Sequence, residues 1–236
     1  MKIFYFTRTG NSLVIAKKFN SELISIPLVV KGKNMLAYQD EAIGIVFPLY
    51  YLNPPKMVYE FLSRAKFQTD YLFAIANYGN LAGASMQELQ KTVKSYGYQF
   101  DYINTLLRAD NFDVIKDISL LPKKQTKKKL KQIVTDVFSC KRYIPKATQK
   151  DIELSKMYVP LTEQLDQGES AKAFIVNENC SHCGICIKIC SADNISLIEQ
   201  AASHNRCESC YACIYACPQN AIHLQNEKSR KRWRKP

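Results

Sequence analysis

The sequence predicts an α/β protein in two parts, a doubly wound, parallel five-stranded sheet followed by a small cysteine-rich α+β domain. Over the first 145 residues, short apolar runs alternate with amphipathic helical segments, which is typical of a parallel sheet covered by helices on both faces. Eight of the nine cysteines then lie between Cys180 and Cys217. A chain of 236 residues is long enough for one compact domain and a small second module.

Five apolar runs are expected to form the strands of the sheet, at residues 3–6, 23–30, 42–47, 71–76 and 99–107. Helical periodicity predicts helices after residue 12, after Pro54-Pro55, and over residues 84–96 and 123–140. Five units of this kind favour the strand order 2-1-3-4-5. Cys140, on the last of these helices, is expected to be a packed or half-buried thiol.

Residues 146–171 are expected to be a connector, helical around 152–165 and broken by Pro145, Pro160 and Gly168. The predicted domains are therefore residues 1–145 and 172–225, followed by a basic tail over 226–236. A composition that is 47% hydrophobic and 23% charged excludes global disorder. No apolar stretch approaches the ~18–20 residues of a membrane-spanning helix, and no signal peptide is expected from the first residues. We therefore expect a soluble cytoplasmic protein.

The formal net charge of +12 is concentrated in two segments of the chain. Residues 121–150 hold ten Lys and Arg against one acid, and residues 224–236 hold six against one. The remainder is slightly acidic, so the basic charge does not cover the whole surface. A nucleic-acid-binding protein is the weaker interpretation of these lysines, because a charge run is usually a solvated helix face.

The cysteine cluster consists of two runs with one spacing, C-x2-C-x2-C-x3-C, repeated at an offset of 27 residues. Three thiolates spaced by two residues bind three corners of one [4Fe–4S] cubane, and the fourth faces the neighbouring cluster. One cluster is therefore expected to take Cys180, Cys183, Cys186 and Cys217, and the other Cys207, Cys210, Cys213 and Cys190. Structural zinc is the weaker alternative, since four-thiolate zinc sites usually come as two separated pairs.

These runs resemble those of bacterial two-cluster ferredoxins at all eight cysteines. The sequence departs from that family at Ser191, where the family usually has proline after the fourth cysteine, whereas Pro218 keeps it in the second run. That proline shapes the backbone and binds no iron. The resemblance therefore implies two [4Fe–4S] clusters.

A hydroxyl-rich turn, Thr7-Arg8-Thr9-Gly10-Asn11-Ser12, follows the first strand and precedes a helix. Such a turn presents backbone N–H groups and hydroxyls to one anion, although by itself it is also an ordinary helix cap. It lacks the Gly-x4-Gly-Lys pattern of nucleotide triphosphatases and the Gly-x-Gly-x-x-Gly of dinucleotide sites.

The same turn resembles the phosphate loop of flavodoxins. In that family two further loops, after the third and fourth strands, enclose the flavin ring; here they are residues 48–53 and 77–80. The resemblance implies an FMN-binding, flavodoxin-like domain. The residues expected to bind FMN are Thr7, Arg8, Thr9, Gly10, Asn11, Ser12, Pro48, Leu49, Tyr50, Tyr51, Asn77, Tyr78 and Gly79.

The whole chain thus resembles the fused flavodoxin–ferredoxin family. This resemblance implies an electron-transfer protein that passes electrons between two [4Fe–4S] clusters and FMN, without a catalytic side chain, since the cofactors carry the chemistry. A dedicated flavin-dependent reductase of a small substrate is an alternative, so enzyme and carrier both stay open, as does the oligomeric state. The expected partner is a redox protein, for which an acidic surface would suit the lysine-rich segment.

Overall fold

In the computed structural model of the protein, the described residues are 1–8, 10–32, 36–108, 123–166, 174–197, 201–203 and 207–224. Side chains are described within these ranges except at 123–124, 161–166, 197 and 201–203. The described residues up to Tyr158 form one compact unit, and those from Val159 onward form a second. None of the described helices combines the length and the apolar composition that a membrane crossing requires.

Five parallel strands form the central sheet of the first unit: β1 (Lys2–Tyr5), β2 (Glu22–Ser25), β4 (Ala42–Pro48), β6 (Tyr71–Tyr78) and β7 (Tyr102–Leu107). Their order is β2-β1-β4-β6-β7. The predicted flavodoxin-like, doubly wound sheet with strand order 2-1-3-4-5 is therefore confirmed. Strand addition reverses between β1 and β4, and ligands of doubly wound sheets bind at the carboxyl ends of the strands beside this reversal.

Four helices lie between these strands, α1 (Asn11–Ala16), α2 (Ile26–Val30), α3 (Lys56–Arg64) and α4 (Ser85–Ser95), and two follow the last of them, α5 (Lys123–Phe138) and α6 (Gln149–Asp166). A 3-10 turn, Lys17–Phe19, extends α1. Helices α3, α4 and α5 bury the apolar residues that their sequences repeat at helical spacing, such as Phe61 on α3 and Ile133 on α5.

The core lies on the faces of β4 and β6. All seven residues of β4 and the first seven of β6 are buried, as expected of parallel strands covered on both faces. Gly44, in the middle of β4, leaves room for a neighbouring ring, since a Cβ there would collide with Phe73 and approach Ile3 Cδ1 to 2.8 Å. This packing holds the carboxyl ends of the strands, and the loops after them, in fixed positions.

The predicted strand over residues 23–30 is wrong in its second half. The chain forms β2 only as far as Ser25 and then turns into α2. Pro27 fits the change, because proline is well suited to the first turn of a helix. The last predicted strand likewise begins later than expected, at Tyr102.

Two features of the first unit lie outside the prediction. Strands β3 (Leu36–Gln39) and β5 (Ala65–Gln68) form a separate parallel pair, which adds Tyr38 and Phe67 to an aromatic cluster with Phe61. Helix α6 continues through Pro160, so this proline does not break the helix as expected. Cys140 is exposed, which corrects the expectation of a packed thiol.

The second unit contains short elements only: β8 (Phe174–Val176), α7 (Ile185–Ile189), β9 (Ile195–Leu197), β10 (Ala201–Ser203), α8 (Ala212–Ala216) and β11 (Ile222–Leu224). Strands β8 and β11 pair antiparallel, as do β9 and β10. The buried residues of its core are Cys186, Tyr211, Ile214, Cys217, Ala221 and Ile222. Two of these six are cysteines, so the unit has little apolar core apart from its thiols.

Candidate functional site

The turn after β1 has a tightly bonded backbone. Gly10 lies at φ +92°, where other residues are strained, and its N–H donates to Thr7 Oγ1 at 3.1 Å. Its carbonyl accepts from Val14 N at 2.9 Å, which starts α1. A Cβ at Gly10 would meet nothing within 4 Å, so the positive φ, and not crowding, favours glycine there. Arg8 is half-buried, and Thr9 lies outside the described residues.

Two predicted site residues from different loops bond to each other. Ser12 Oγ donates to Asn77 Oδ1 at 2.7 Å, and both residues are buried. This bond joins the turn after β1 to the carboxyl end of β6. The Asn77 amide nitrogen is a donor that this bond does not use. Ser12 and Asn77 therefore position the two loops relative to each other.

The loop after β4 is a tight turn with strained backbone. Leu49 N donates to Asn77 O at 2.8 Å, and Tyr50 and Asn53 exchange two backbone hydrogen bonds of 2.8 and 2.9 Å. Between them, Tyr51 and Leu52 have φ of +50° and +63°. Non-glycine residues in this region cost on the order of 1–2 kcal/mol each, and such strain is concentrated at functional sites.

Tyrosine rings stand on both of the predicted flavin loops. Tyr50 and Tyr51 are half-buried after β4, and Tyr50 meets Phe6 edge-on with ring centroids 6.4 Å apart. Tyr78, at the end of β6, is half-buried, and burial raises the pKa of its hydroxyl. Pro48 is buried and Gly79 is half-buried beside them. This edge of the sheet therefore carries three partly accessible aromatic rings.

The sequence-based interpretation missed Arg108, the first residue after β7. Its backbone N–H donates to Tyr78 O at 2.9 Å, and its guanidinium Nη2 donates to Asn11 Oδ1 at 3.2 Å. Burial lowers the pKa of this guanidinium. A basic residue at the end of a strand that reaches the carboxyl edge was the signal available in the sequence. The segment that follows, residues 109–122, lies outside the described residues.

In the second unit the eight predicted ligands line two cavities, and each cavity takes cysteines from both runs. The Cys217 cavity is lined by Cys180, Cys183, Cys186 and Cys217. The Cys190 cavity is lined by Cys190, Cys207, Cys210 and Cys213. Each cavity thus receives three thiols from one run and one from the other.

The backbone conformation repeats with the cysteine spacing. His182 and Gly184, which flank Cys183, have φ of +54° and +71°; their counterparts Ser209 and Tyr211, which flank Cys210, have +49° and +58°. These left-handed residues turn the chain around each cavity. Tyr211 adopts a conformation for which the first run uses glycine, so the two halves keep one backbone with different side chains.

Backbone N–H groups donate to the sulfur atoms of the last cysteine of each run. Asn194 N lies 3.2 Å from Cys190 Sγ, and Ala221 N lies 3.3 Å from Cys217 Sγ, four residues later in both runs. Ser209 N also donates to Cys207 Sγ at 3.3 Å. Such bonds orient thiolate ligands and stabilise their negative charge.

The thiols inside the cavities influence one another electrostatically. Burial raises the pKa of the Cys213 thiol, and Cys210 and Cys207 raise it further. Burial also raises the pKa of the Cys186 thiol, with smaller contributions from Cys180 and Cys183. Thiols gathered in this way ionise together only when bound metal compensates their charge.

The four thiols that line each cavity match the number of protein ligands of one [4Fe–4S] cubane. Within the described part of the chain, no three His, Cys, Asp or Glu side chains are close enough to hold one metal ion. A cubane with an iron at four of its corners holds its ligands further apart than a zinc ion does. The donor set, all thiols in a largely apolar surrounding, also fits iron and sulfide.

Comparisons with known proteins agree with this two-part organisation. Residues 203–223 match the family model Fer4, a 4Fe-4S binding domain. A comparison with curated proteins finds no match. The matched segment and the flavodoxin-like sheet fit the organisation of a fused flavodoxin–ferredoxin protein, and the combination suggests electron transfer.

Solved structures match part of the chain at low identity and low TM-score. A protein from Bacteroides uniformis assigned as a flavoprotein is 15% identical, with a TM-score of 0.39, over 56% of this chain and 96% of its own. The Trp repressor binding protein from Bacillus subtilis is 15% identical, with a TM-score of 0.36, over 56% and 95%. The two-electron reduced flavodoxin from Megasphaera elsdenii is 12% identical, with a TM-score of 0.30, over 57% and 98%. At such identities the likeness concerns the fold alone.

Proposed function

We propose that this protein transfers electrons between two [4Fe–4S] clusters and FMN, with residues 1–145 as the FMN-binding domain and 172–225 as the cluster domain. When bound, the clusters supply one-electron steps and FMN accepts one or two electrons, so that one-electron carriers are coupled to a two-electron reaction. The protein's own residues bind these groups, exclude water from them and set their surroundings.

The observation that carries this proposal is the crossed arrangement of the cysteines. Each cavity collects four thiols, three from one run and one from the other. This is the pattern of two-cluster ferredoxins, in which the fourth cysteine of a run ligates the other cluster. Cys217 would complete the cluster of the first run, and Cys190 that of the second.

The residues around the cavities have two further roles. The N–H groups of Asn194, Ser209 and Ala221 would hold their thiolates and stabilise the ligand charge. Apolar side chains of the Cys190 cavity, including Phe174 and Ile222, would keep water away from the bound group. Both effects tune a reduction potential.

The three loops at the carboxyl edge of the sheet support the flavin half of the proposal. The turn after β1 would receive the phosphate, and the half-buried tyrosines 50, 51 and 78 would cover the apolar ring. The bond from Ser12 to Asn77 holds the phosphate loop against a ring loop before any ligand binds. A site arranged in advance loses less entropy on binding.

The proposed protein partner is a redox protein with an acidic surface. Helix α5 exposes Lys127, Lys128, Lys129 and Lys131, and complementary charge chiefly accelerates encounter between partners. Reduction of an acidic carrier protein should therefore slow as salt rises, and a rate that does not depend on salt would argue against docking at α5.

The proposal is tested on the full chain purified without oxygen, by measuring iron, sulfide and flavin content. We expect about eight irons, about eight sulfides and about one FMN per chain, and loss of both visible absorptions on adding dithionite. About eight irons without flavin, even after FMN is supplied, would contradict the flavin half. About four irons, or zinc in their place, would contradict the two-cluster half.

A further inference from the structure

Arg108 is held at the carboxyl edge of the sheet by its own backbone. Its N–H donates to Tyr78 O at 2.9 Å, which extends the pairing of β7 with β6 by one residue. The side chain is half-buried and points toward the turn after β1, where its Nη2 donates to Asn11 Oδ1 at 3.2 Å. A strand end and a turn that are 97 residues apart in sequence thus meet through this guanidinium.

The partners of this guanidinium do not neutralise its charge. Asn11 offers a neutral amide oxygen, and no described carboxylate forms an ion pair with Arg108. Its Nε is buried and has no hydrogen-bond partner among the described residues. A half-buried cation with a buried, unused donor is costly unless an anion meets it.

The chemistry of the surroundings identifies the anion. A guanidinium presents its N–H donors in a planar fork that matches two oxygens of a phosphate. The turn that Arg108 contacts contains Thr7, a half-buried hydroxyl, and begins at the carboxyl end of β1, beside the reversal of strand addition. Phosphate groups of nucleotide ligands bind at this position in doubly wound sheets.

We propose that Arg108 binds the phosphate monoester of the flavin and makes the site select FMN over riboflavin. This inference rests on the proposed function, because it assigns a residue within the flavin site. Asn11 acts as the positioning residue, since its side-chain oxygen fixes Nη2 and leaves the other arm of the guanidinium to meet the phosphate. Arg108 is then a specificity-determining residue and takes no part in electron transfer.

The test compares the affinities of FMN and riboflavin for the full chain and for Arg108→Gln, Arg108→Lys and Arg142→Gln, by quenching of flavin fluorescence. Arg142 is an exposed arginine whose Nη1 lies 3.4 Å from Asp101 Oδ1. Its variant therefore removes the same charge at a site that Arg108 does not share. Arg108→Gln should weaken the binding of FMN on the order of 10- to 100-fold, the range for one charge-assisted hydrogen bond. It should change riboflavin by less than about threefold. The FMN affinity of Arg108→Lys should lie between those of Arg108→Gln and the unaltered protein, and both flavin affinities of Arg142→Gln should match those of the unaltered protein.

Equal weakening of FMN and riboflavin in Arg108→Gln would overturn the proposal, because it would show that Arg108 merely supports the loops. Unchanged FMN affinity would overturn it as well. Inorganic phosphate gives a readout that needs no flavin: it should raise the unfolding temperature of the unaltered chain, relative to chloride at equal ionic strength, but not that of Arg108→Gln.

The two proposals can fail separately. If the unaltered chain binds neither flavin while phosphate stabilises it through Arg108, the flavin function is wrong and the anion site is retained. If FMN binds and phosphate has the same effect on both proteins, the flavin function is retained and the role of Arg108 is wrong.

Discussion

The two units of this protein achieve order in different ways. The first unit buries all of β4 and all but the last residue of β6, and its loops are positioned by that core. The second has strands of three residues, helices of five, and a small core that includes Cys186 and Cys217. A module of this size buries too little apolar surface to be stable without staples or metal. The first unit should therefore fold without a bound cofactor, whereas the second should need bound metal to fold.

The largest expected effect follows directly from this difference. When iron is withheld, the second unit should lose nearly all protection of its amides from hydrogen exchange, because its folding free energy comes largely from metal binding. Amides of β4 and β6 should exchange at the same rate with and without iron. Full protection of the amides of residues 174–197 in iron-free protein would show that the second unit does not need metal to fold.

The second prediction concerns the crossed ligands of the two cavities. Cys190→Ser and Cys207→Ser should impair the same cluster, and Cys217→Ser and Cys180→Ser the other, each with loss of about four irons per chain. Electron paramagnetic resonance of the reduced protein identifies which cluster remains. Cys140→Ser is the matched control, since Cys140 is exposed and lines neither cavity.

If Cys190→Ser and Cys186→Ser gave the same surviving signal, each run would serve its own cluster and the crossed arrangement would be wrong. An iron content that stays at about eight in all four variants would also contradict it.

A third prediction tests whether the first unit depends on its packing alone. Gly44→Ala places a Cβ against Phe73 and Ile3, so we expect it to lower the free energy of unfolding of this unit by about 1–3 kcal/mol. Iron content should not change. Gly32→Ala is the control, because its Cβ would meet only the Val29 carbonyl at 3.4 Å. Urea unfolding followed by tyrosine fluorescence measures both, and equal stability of the two variants would argue against a close-packed β4.

The smallest expected effect concerns the strained turn after β4. Alanine is usually the more stable replacement, but at Tyr51 the φ of +50° favours glycine, which has no Cβ. Tyr51→Gly should therefore be more stable than Tyr51→Ala by about 1 kcal/mol. Tyr50, which does not have a positive φ, should show no such preference for glycine. Thermal unfolding of the four variants measures the difference, and a more stable Tyr51→Ala would exclude the left-handed conformation.

The strand order was predictable because buried parallel strands leave continuous apolar runs such as residues 42–47, which the structure has as β4. The prediction failed where one residue decided between two structures, as Pro27 did at the start of α2. The pair of β3 and β5 was missed because a segment of four residues, such as Ala65–Gln68, is too short for its alternation of buried and exposed positions to distinguish a strand from a loop.

Among the site residues, features that depend on local contacts were predictable from the sequence, whereas contacts between distant residues were not. The cysteine spacing and the Gly10 turn were apparent in the sequence, because ligands two or three residues apart and a residue with positive φ are consequences of local chain geometry. The hydrogen bond from Ser12 to Asn77 joins residues that are 65 positions apart in the sequence, and it gives both of them a role in holding two loops together. No pattern within a single loop contains that information.

The sequence by itself determined the class of sheet, the duplicated cysteine runs and the turn after β1, since these depend on burial periodicity and on neighbours along the chain. Only the tertiary structure decided that Arg108 meets Asn11 and that Tyr51 is strained, whereas the sharing of each cavity by thiols of both runs was already expected from the cysteine spacing. The physical reason is that packing of distant segments sets which side chains share a space, and that packing is a property of the whole core.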